Sequence, residues 1–424
     1  MLNKAISKLG TRTPSPSISW LMQKSLEKPG LVSLAAGFTD NFSLPLDHVQ
    51  SAMSSILSSQ NAKPSLQYGS TVGDPELIRL TAEHLCASDN ISSGASDLAK
   101  RTIITNGSQQ LLYLTVEALF DEGDIIITED PTYFVFLGIL QGHAVQTRTV
   151  PLTQNGIDVI KLEALLEELK RSGSLPRLKA VYLVSYFQNP TGISTSAETK
   201  DRVIELLRKF EPDAGHPLYV IEDAAYRELR FPGTPDIPSL LAKNSNSDRV
   251  IYAGTYTKPF ATGARIGYGV LPEDLFTVVY NLKGNHDFGS SNLLQQLLRH
   301  AIQEGLYQDH LKTLQATYEA KTRVMIGAIQ EHFPKSVTWQ PPLGGLYVWA
   351  GLPNQTSAGK ESKLFNQALE EGVIYVPGEL CYAPDATRSV PLHEMRISFG
   401  GAEKAKIQPG IQKLSVAMNK IGIL

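Results

Sequence analysis

Residues 250–269 read VIYAGTYTKPFATGARIGYG, and the prediction of the fold starts from this stretch. It begins with a short apolar run, 250–254, which is typical of a strand buried on both faces of a sheet. Lys258 follows that run, and Arg265 comes seven residues later among hydroxyl-bearing residues and glycines. A buried lysine can lose its proton and become a nucleophile towards carbonyl groups, and an arginine suits phosphate recognition. Two solvated charges in a loop would not require such neighbours, so the stretch indicates a binding site at a strand's end.

The pattern of a buried strand followed by polar residues recurs before residue 250. We predict further strands over residues 102–105, 125–129, 144–149, 180–184 and 218–222, with helices over 109–120, 162–171 and 197–210. Alternation of strands and helices predicts an α/β fold with a mostly parallel sheet and helices on both of its faces. Ligands of such sheets bind beyond the carboxyl ends of the strands, so the residues after each strand are the candidate site residues.

The pattern changes after about residue 288. A long helical region over 293–333 precedes short strands over 346–349 and 395–398 and helices over 360–371 and 404–421. A chain of 424 residues is too long for one ordinary core. We therefore predict an N-terminal arm with part of a small domain (1–49), a large domain (50–290) and a small C-terminal α+β domain (291–424).

Four further strand ends carry polar or aromatic residues, and each has a purely structural alternative. Ser108 and Gln109 lie at the start of the helix that follows residues 102–105. They either cap this helix or belong to a phosphate site. Tyr133 either packs in the core or stacks its ring on a planar ligand. Asn189 belongs to an Asn-Pro turn, and Asp223 either caps a helix or pairs with a buried partner. Together with Lys258 and Arg265 they describe a site for a pyridine aldehyde phosphate held by a Schiff-base lysine.

Composition excludes several classes of protein. With Lys+Arg 39 against Asp+Glu 42, the formal net charge is -3, so no bulk positive field would attract nucleic acid or anionic lipid. The apolar runs are too short for a membrane span. The two cysteines, Cys86 and Cys381, form neither a disulfide framework nor a metal pair, and no metal site is predicted.

The N-terminal residues 1–26 are basic and rich in Ser and Thr, a composition shared by mitochondrial transit peptides and by solvated arms of a fold. We favour the arm, because little sequence precedes the first family-like motif described below. The expected location is cytoplasmic, and a mitochondrial location stays open.

From about Pro14 to its C-terminus the chain resembles the pyridoxal 5'-phosphate (PLP) enzymes of fold type I, the class I/II aminotransferases. Within them it is most similar to the kynurenine/2-aminoadipate aminotransferase group. The motifs that carry this similarity are Pro-Ser-Pro at 14–16, Ser-Leu-Ala-Ala-Gly at 33–37, Gln-Tyr-Gly at 67–69, Gly-Ser-Gln-Gln at 107–110 and Pro-Leu-Gly-Gly at 342–345. The resemblance implies a sheet of the seven-stranded type and a homodimer with shared active sites.

The resemblance also implies a role for each candidate residue. Lys258 would form the Schiff base and carry the proton, and Asp223 would pair with the ring nitrogen of PLP. The other cofactor contacts would be Asn189 and Tyr226 at the phenolic oxygen, Tyr133 on the ring face, Ser108, Gln109, Thr255, Thr257 and Arg265 at the phosphate, and Tyr68 at the phosphate of the partner's site. Arg396 would clamp the substrate α-carboxylate, assisted by Gly37, Asn189 and Tyr68.

Two departures from the family pattern bear on specificity. The usual Ser-x-Ser-Lys is here Thr255-Tyr256-Thr257-Lys258, which keeps both hydroxyls. The arginine that often follows Pro-Ser-Pro-Ile in the 2-aminoadipate group is here Ser19, which disfavours acidic side chains. Trp20 and Leu21 suggest an aromatic or large aliphatic donor instead, unless Arg12 folds back to supply the charge.

These implications lead to one functional hypothesis and two rivals. We predict an aminotransferase that moves an amino group from an L-amino acid, possible donors including 2-aminoadipate and kynurenine, to a 2-oxo acid such as 2-oxoglutarate. A PLP-dependent C–S β-lyase or an aminocyclopropane-carboxylate synthase-like lyase would share every cofactor residue. A PLP-binding transcriptional regulator would need a basic DNA-binding domain before the fold, for which we expect no room.

Overall fold

The computed structural model describes residues 5–28, 30–60, 62–92 and 94–423, so residues 1–4 of the predicted arm lie outside the described residues. The α-helices in these ranges are α1 (Lys8–Arg12), α2 (Ser17–Glu27), α3 (Leu46–Ser58), α4 (Ala62–Ser65), α5 (Pro75–Ser88), α6 (Ala95–Lys100), α7 (Gly107–Leu119), α8 (Phe134–Gly142), α9 (Val159–Arg171), α10 (Ala197–Ala214), α11 (Glu273–Asp287), α12 (Asn292–Gln303), α13 (Leu306–His332), α14 (Lys363–Glu371) and α15 (Lys404–Lys420). The strands are β1 (Val32–Ser33), β2 (Thr102–Thr105), β3 (Ile125–Asp130), β4 (Gln146–Thr153), β5 (Gly156–Ile157), β6 (Leu178–Val184), β7 (Tyr219–Asp223), β8 (Val250–Thr255), β9 (Gly267–Val270), β10 (Thr338–Trp339), β11 (Tyr347–Gly351), β12 (Val373–Ile374), β13 (Val376–Pro377) and β14 (Glu394–Ser398).

The central sheet has the strand order β2-β9-β8-β7-β6-β3-β4-β5. Strands β4, β3, β6, β7 and β8 pair in parallel, whereas β9 is antiparallel to both of its neighbours. Every residue of β7 and β8 is buried, and because alternate residues of a strand point to opposite faces, both faces of the sheet are covered. The predicted α/β fold with a mostly parallel sheet is confirmed; the two-residue strand β5 adds an antiparallel edge.

All six predicted strands of this sheet exist, but β9 was missed because its residues Gly-Tyr-Gly-Val read as part of a loop. Its glycines are required by close packing against the start of α7. A Cβ on Gly267 would lie 2.4 Å from the backbone carbon of Gly107, and one on Gly269 would lie 2.6 Å from the side chain of Leu111. A side chain at either position would push α7 away from the sheet.

A second, antiparallel sheet has the order β10-β11-β14-β13 and lies in the C-terminal part of the chain. The N-terminal strand β1 pairs in parallel with β12, which joins the N-terminal part of the chain to the C-terminal part. The predicted single helical region over 293–333 is wrong in one respect: it is divided into α12 and α13 at Gly305, whose φ is 74°. The domain boundaries at residues 49 and 290 stay a prediction.

Within the described ranges no helix combines the length and apolarity that a membrane crossing requires. In the same ranges Cys86 and Cys381 are buried free thiols, and no cluster of three or more His, Cys, Asp or Glu side chains could hold a metal ion.

The close approach of β9 and α7 predicts the effect of Gly267→Ala. We expect this substitution to lower the free energy of unfolding by about 1–3 kcal/mol, because the added Cβ would overlap the backbone of Gly107. Urea unfolding followed by circular dichroism measures the change. Gly327→Ala is the control: it lies on α13 with nothing within 4 Å of the added Cβ, and alanine favours a helix. Equal stability of the two variants would contradict the packing described for β9.

Candidate active site

A cavity of about 530 Å³ lies at the carboxyl ends of β6, β7 and β8. It is closed by the N-terminal arm on one side and by the C-terminal sheet on another. The cavity brings together nearly all of the candidate residues predicted from the sequence: Gly37, Ser108, Gln109, Tyr133, Asn189, Asp223, Tyr226, Thr255, Thr257, Lys258, Arg265 and Arg396. Tyr68 is not among its lining residues.

Lys258 follows β8, and its ammonium nitrogen Nζ donates a hydrogen bond of 2.8 Å to the backbone oxygen of Gly37. Its surroundings disfavour the charged form. Burial, with the nearby cations Arg265 and Arg396, lowers the pKa of Lys258 to about 8. With a pKa of about 8 the amine is still mostly protonated near neutral pH, but a much larger fraction is neutral than for an ordinary lysine, and the neutral form is the one that acts as a nucleophile or general base.

Asp223 is the last residue of β7 and is buried. Its Oδ1 accepts from the backbone N–H of Ala225 at 3.0 Å, and its Oδ2 accepts from the hydroxyl of Tyr182 at 2.8 Å. Burial raises the pKa of Asp223 to about 6, while these two hydrogen bonds oppose the rise. Among the described side chains no lysine or arginine forms an ion pair with this carboxylate, so a cationic ligand group would stabilise its charged form.

The N-terminus of α7 has the features of an anion site. Asn106, at the cap position, makes no side-chain cap; its amide donates to Asp287 at 2.8 Å instead. The guanidinium of Arg265 lies beside this helix end, since a Cβ on Gly107 would be 2.9 Å from its Nη2. The hydroxyls of Thr255 and Thr257 lie close by, with long contacts of 3.3 and 3.5 Å to the backbone oxygen of Ile266. Helix dipole, free N–H groups, cation and hydroxyls together suit a phosphate.

Arg396, on β14, connects the C-terminal sheet to the cavity and is 1% exposed. Its Nη1 donates to Oδ1 of Asn189 at 2.7 Å and its Nη2 donates to the backbone oxygen of Ala35 at 2.8 Å. The ring of Tyr347 lies 4.2 Å from the guanidinium carbon, a cation–π contact. The buried Nε has no hydrogen-bond partner within the described structure. Nε and the second hydrogens of both terminal nitrogens can therefore hold a carboxylate.

Tyr347, at the start of β11, is a lining residue that the sequence analysis missed. Its hydroxyl lies 3.0 Å from that of Tyr226, which in turn accepts from the amide of Asn189 at 3.3 Å. The signal was the pair Gly344-Gly345 just before it, because added Cβ atoms there would lie 2.7 and 2.8 Å from Phe187. Such close contact holds the chain before β11 against Phe187.

The family model for "Aminotransferase class I and II" matches residues 29–414. The chain belongs to the class I and II aminotransferases. Two relatives of similar length are 30% identical to it: aromatic-amino-acid aminotransferase 1 of Thermococcus litoralis over 393 residues (92% of this chain, 89% of that one) and 2-aminoadipate transaminase of Thermus thermophilus over 421 residues (98% and 97%). The crystal structure of Pyrococcus horikoshii kynurenine aminotransferase, in complex with PMP, superposes with a TM-score of 0.88 at 29% identity, covering 99% of this chain and 98% of that one.

This aminotransferase uses pyridoxal 5'-phosphate, and the cavity fits that cofactor. A buried carboxylate without an ion-pair partner suits a protonated ring nitrogen, and the uncapped end of α7 beside Arg265 suits the phosphate. The predicted family, fold and cofactor are confirmed.

Three expectations about the arm and the partner subunit need correction or stay open. Trp20 stacks on Phe365 at 5.5 Å and Leu21 is buried in the core, so neither shapes the cavity; Ile18 lines it instead. Arg12 does not fold back into the cavity, because it pairs with Glu122 at 2.7 Å. Tyr68 is 81% exposed outside the cavity, and its role in a partner's site stays a prediction.

The electrostatics of the cavity predict how Lys258 titrates in the cofactor-free aminotransferase. The neutral amine is the reactive form, so labelling by acetic anhydride should rise with pH with a midpoint near the Lys258 pKa of about 8. Arg265→Gln removes a neighbouring cation and should move the midpoint to higher pH. Peptide mass spectrometry after trace labelling gives the midpoints. Lys170 is the internal control, since its ion pair with Asp213 raises its pKa; similar midpoints for the two lysines would contradict the proposed electrostatics.

Proposed function

We propose that this aminotransferase takes its amino group from L-amino acids with an aromatic or large aliphatic side chain and passes it to a 2-oxo acid such as 2-oxoglutarate. The observation that carries the proposal is the apolar wall of the cavity, which consists of Ile18, Phe38, Phe134 and Val135. Among the described residues, three lysine and arginine side chains line the cavity: Lys258, Arg265 and Arg396. An acidic substrate side chain against the apolar wall would be buried without a partner, which is costly.

PLP, when bound, supplies an aldehyde carbon that takes up the amino group and a ring that accepts electrons from the reacting carbon. Around it we assign the phosphate to Ser108, Gln109, Thr255, Thr257 and Arg265. Tyr133 would lie on the ring face, and Asn189 and Tyr226 would donate to the phenolic oxygen. Asp223 would hold the proton on the ring nitrogen, because a charged partner offsets the cost of its burial.

Lys258 is the residue that we assign to proton transfer. Its amine would remove the proton from Cα of the substrate and deliver it to C4' of the cofactor. A general base works best when its pKa lies near the working pH, and the pKa of Lys258, lowered to about 8, meets that condition. The hydrogen bond from Nζ to the oxygen of Gly37 keeps the amine on the side of the cavity where Gly37 and Arg396 meet.

Arg396 would bind the substrate α-carboxylate, with Asn189 and the backbone at Gly37 beside it. The guanidinium is already oriented by Asn189 and Ala35 and by the ring of Tyr347. Little side-chain entropy is then lost when the carboxylate binds. A substrate held there would have its side chain within the cavity that the apolar wall lines.

We also propose a homodimer in which Tyr68 completes the partner's phosphate site. Tyr68 is 81% exposed and contacts the ring of Phe288 at 5.3 Å, and Leu66 is 66% exposed nearby in sequence. An exposed aromatic and aliphatic patch of this kind marks an interface more often than free surface.

The Lys258→Ala variant tests the proposed chemistry. We expect turnover to fall by about 10²–10⁴-fold and the visible absorbance of the lysine-bound cofactor to disappear, because no other amine occupies that position. Absorbance spectra and glutamate formation from 2-oxoglutarate measure both effects. Lys161→Ala, on the exposed side of α9, should leave both unchanged. A coloured, active Lys258→Ala protein would exclude the assignment, and formation of pyruvate and ammonia without an acceptor would favour a lyase.

Donor preference is tested by placing a cation in the apolar wall. Ile18→Arg should raise the ratio of kcat/KM for 2-aminoadipate over that for phenylalanine by about tenfold, because the guanidinium would pair with the distal carboxylate. Gln23→Arg, at an exposed position of α2 outside the cavity lining, should change the ratio little. Initial rates with a panel of donors and of 2-oxo acids, including 2-oxoglutarate, give the ratios. A wild-type protein that prefers 2-aminoadipate to aromatic donors would refute the proposal.

A further inference from the structure

Two turns at the carboxyl ends of strands in the central sheet carry residues that we assign to the cofactor. A pair of buried side chains joins the two turns. The turn after β3 leads to Tyr133, and the turn after β6 contains Asn189. Glu129, near the end of β3, and Gln188, immediately before Asn189, are each 1% exposed. Neither lines the cavity, so neither is placed to contact a ligand within it.

The carboxylate of Glu129 binds the second turn at two points. Its Oε2 accepts from Nε2 of Gln188 at 2.6 Å and from the backbone N–H of Val184, the last residue of β6, at 3.0 Å. The hydrogen bonds therefore tie the end of β3 to both the end of β6 and the turn that follows it.

Gln188 completes the connection in the other direction. Its Nε2 also donates to the backbone oxygen of Pro131 at 3.1 Å, two residues before Tyr133. Its Oε1 accepts from the hydroxyl and the backbone N–H of Thr191, which fixes its own turn. The amide thus holds both turns through three different partners.

Burial makes this arrangement costly. In the described structure Glu129 forms no ion pair, and its Oε1 is buried without a hydrogen-bond partner. Burial and the neighbouring charge of Asp223 raise the pKa of Glu129 to about 8, so it is largely neutral at physiological pH. An apolar residue would fill this space at lower cost, so stability alone does not account for a carboxyl group here.

We propose that Glu129 and Gln188 are positioning residues, a brace that keeps the Tyr133 turn and the Asn189 turn at the spacing needed to hold one cofactor ring between them. The inference rests on the roles proposed above for Tyr133 and Asn189. The same brace acts on the substrate indirectly, because Asn189 accepts the 2.7 Å hydrogen bond that orients Arg396.

The test compares three brace variants with a matched control. Glu129→Gln keeps an oxygen acceptor and resembles the neutral acid, whereas Glu129→Leu and Gln188→Leu remove the hydrogen bonds. Gln295→Leu is the control: Gln295 is also a buried amide with two backbone partners, Asp74 and Ser290, but lies outside the cavity lining. Each protein is titrated with PLP and followed by visible absorbance, and the circular dichroism of the visible band reports how the ring is held.

We expect Glu129→Leu and Gln188→Leu to weaken PLP binding about tenfold, lower the visible dichroism and raise KM for the amino donor. Glu129→Gln should stay within about twofold of the wild type. The double variant should lose less than the product of the two single losses, because both act through one network. Gln295→Leu should lower Tm without changing the PLP affinity or the visible dichroism.

Several results would overturn the brace. These are wild-type PLP affinity and dichroism in Glu129→Leu, equal damage in Glu129→Gln and Glu129→Leu, or an equal spectral change in Gln295→Leu. The titration reads cofactor binding and not the donor, so failure of the proposed substrate class would leave it valid. A wild-type protein that develops no visible band with PLP would overturn both the assigned cofactor roles and the brace.

Discussion

The hydrogen bond between Arg396 and Asn189, 2.7 Å long, joins the two sheets of this aminotransferase at its active site. Arg396 comes from the C-terminal sheet, and Asn189 lies in the turn after the carboxyl end of β6 in the central sheet. A second hydrogen bond, from Arg396 to the backbone oxygen of Ala35, brings in the N-terminal part of the chain. A buried guanidinium is costly unless it is hydrogen-bonded, and the ring of Tyr347 adds a cation–π contact. The cavity exists where these three parts of the chain meet, and the side chain that connects them is the one to which we assign the substrate carboxylate.

Burial acts on the two central titratable groups in opposite senses, and this gives the cavity its chemistry. It lowers the pKa of Lys258 to about 8 and raises that of Asp223 to about 6, so both groups are pushed towards neutrality. A cationic ring nitrogen next to Asp223 would restore its charge, and a phosphate beside Arg265 would neutralise that cation. The polar groups are held in place before any ligand binds, which is the arrangement that electrostatic catalysis requires.

Much of the fold and of the site was predictable from local patterns. Continuous apolar runs identified β2, β3, β6, β7 and β8, and the residues at their carboxyl ends meet in one cavity because parallel strands end at the same edge. The pattern failed for β9, where glycines needed for contact with α7 hide the strand, and at Gly305, where one residue separates two helices. It also failed for Trp20, whose half-buried ring packs on Phe365 and does not line the cavity.

The sequence by itself determined the family, and it carries the residues to which we assign the chemistry: a lysine, an aspartate and an amide at strand ends, with a phosphate-type helix start. Tertiary structure alone decided which residues form the apolar wall and what orients Arg396. Ile18 and Phe134 are distant in sequence and carry no local signal, because an apolar side chain looks the same in a core and in a cavity. The bond that ties Gln188 to Glu129 likewise depends on two strands becoming neighbours, which only the packed sheet brings about.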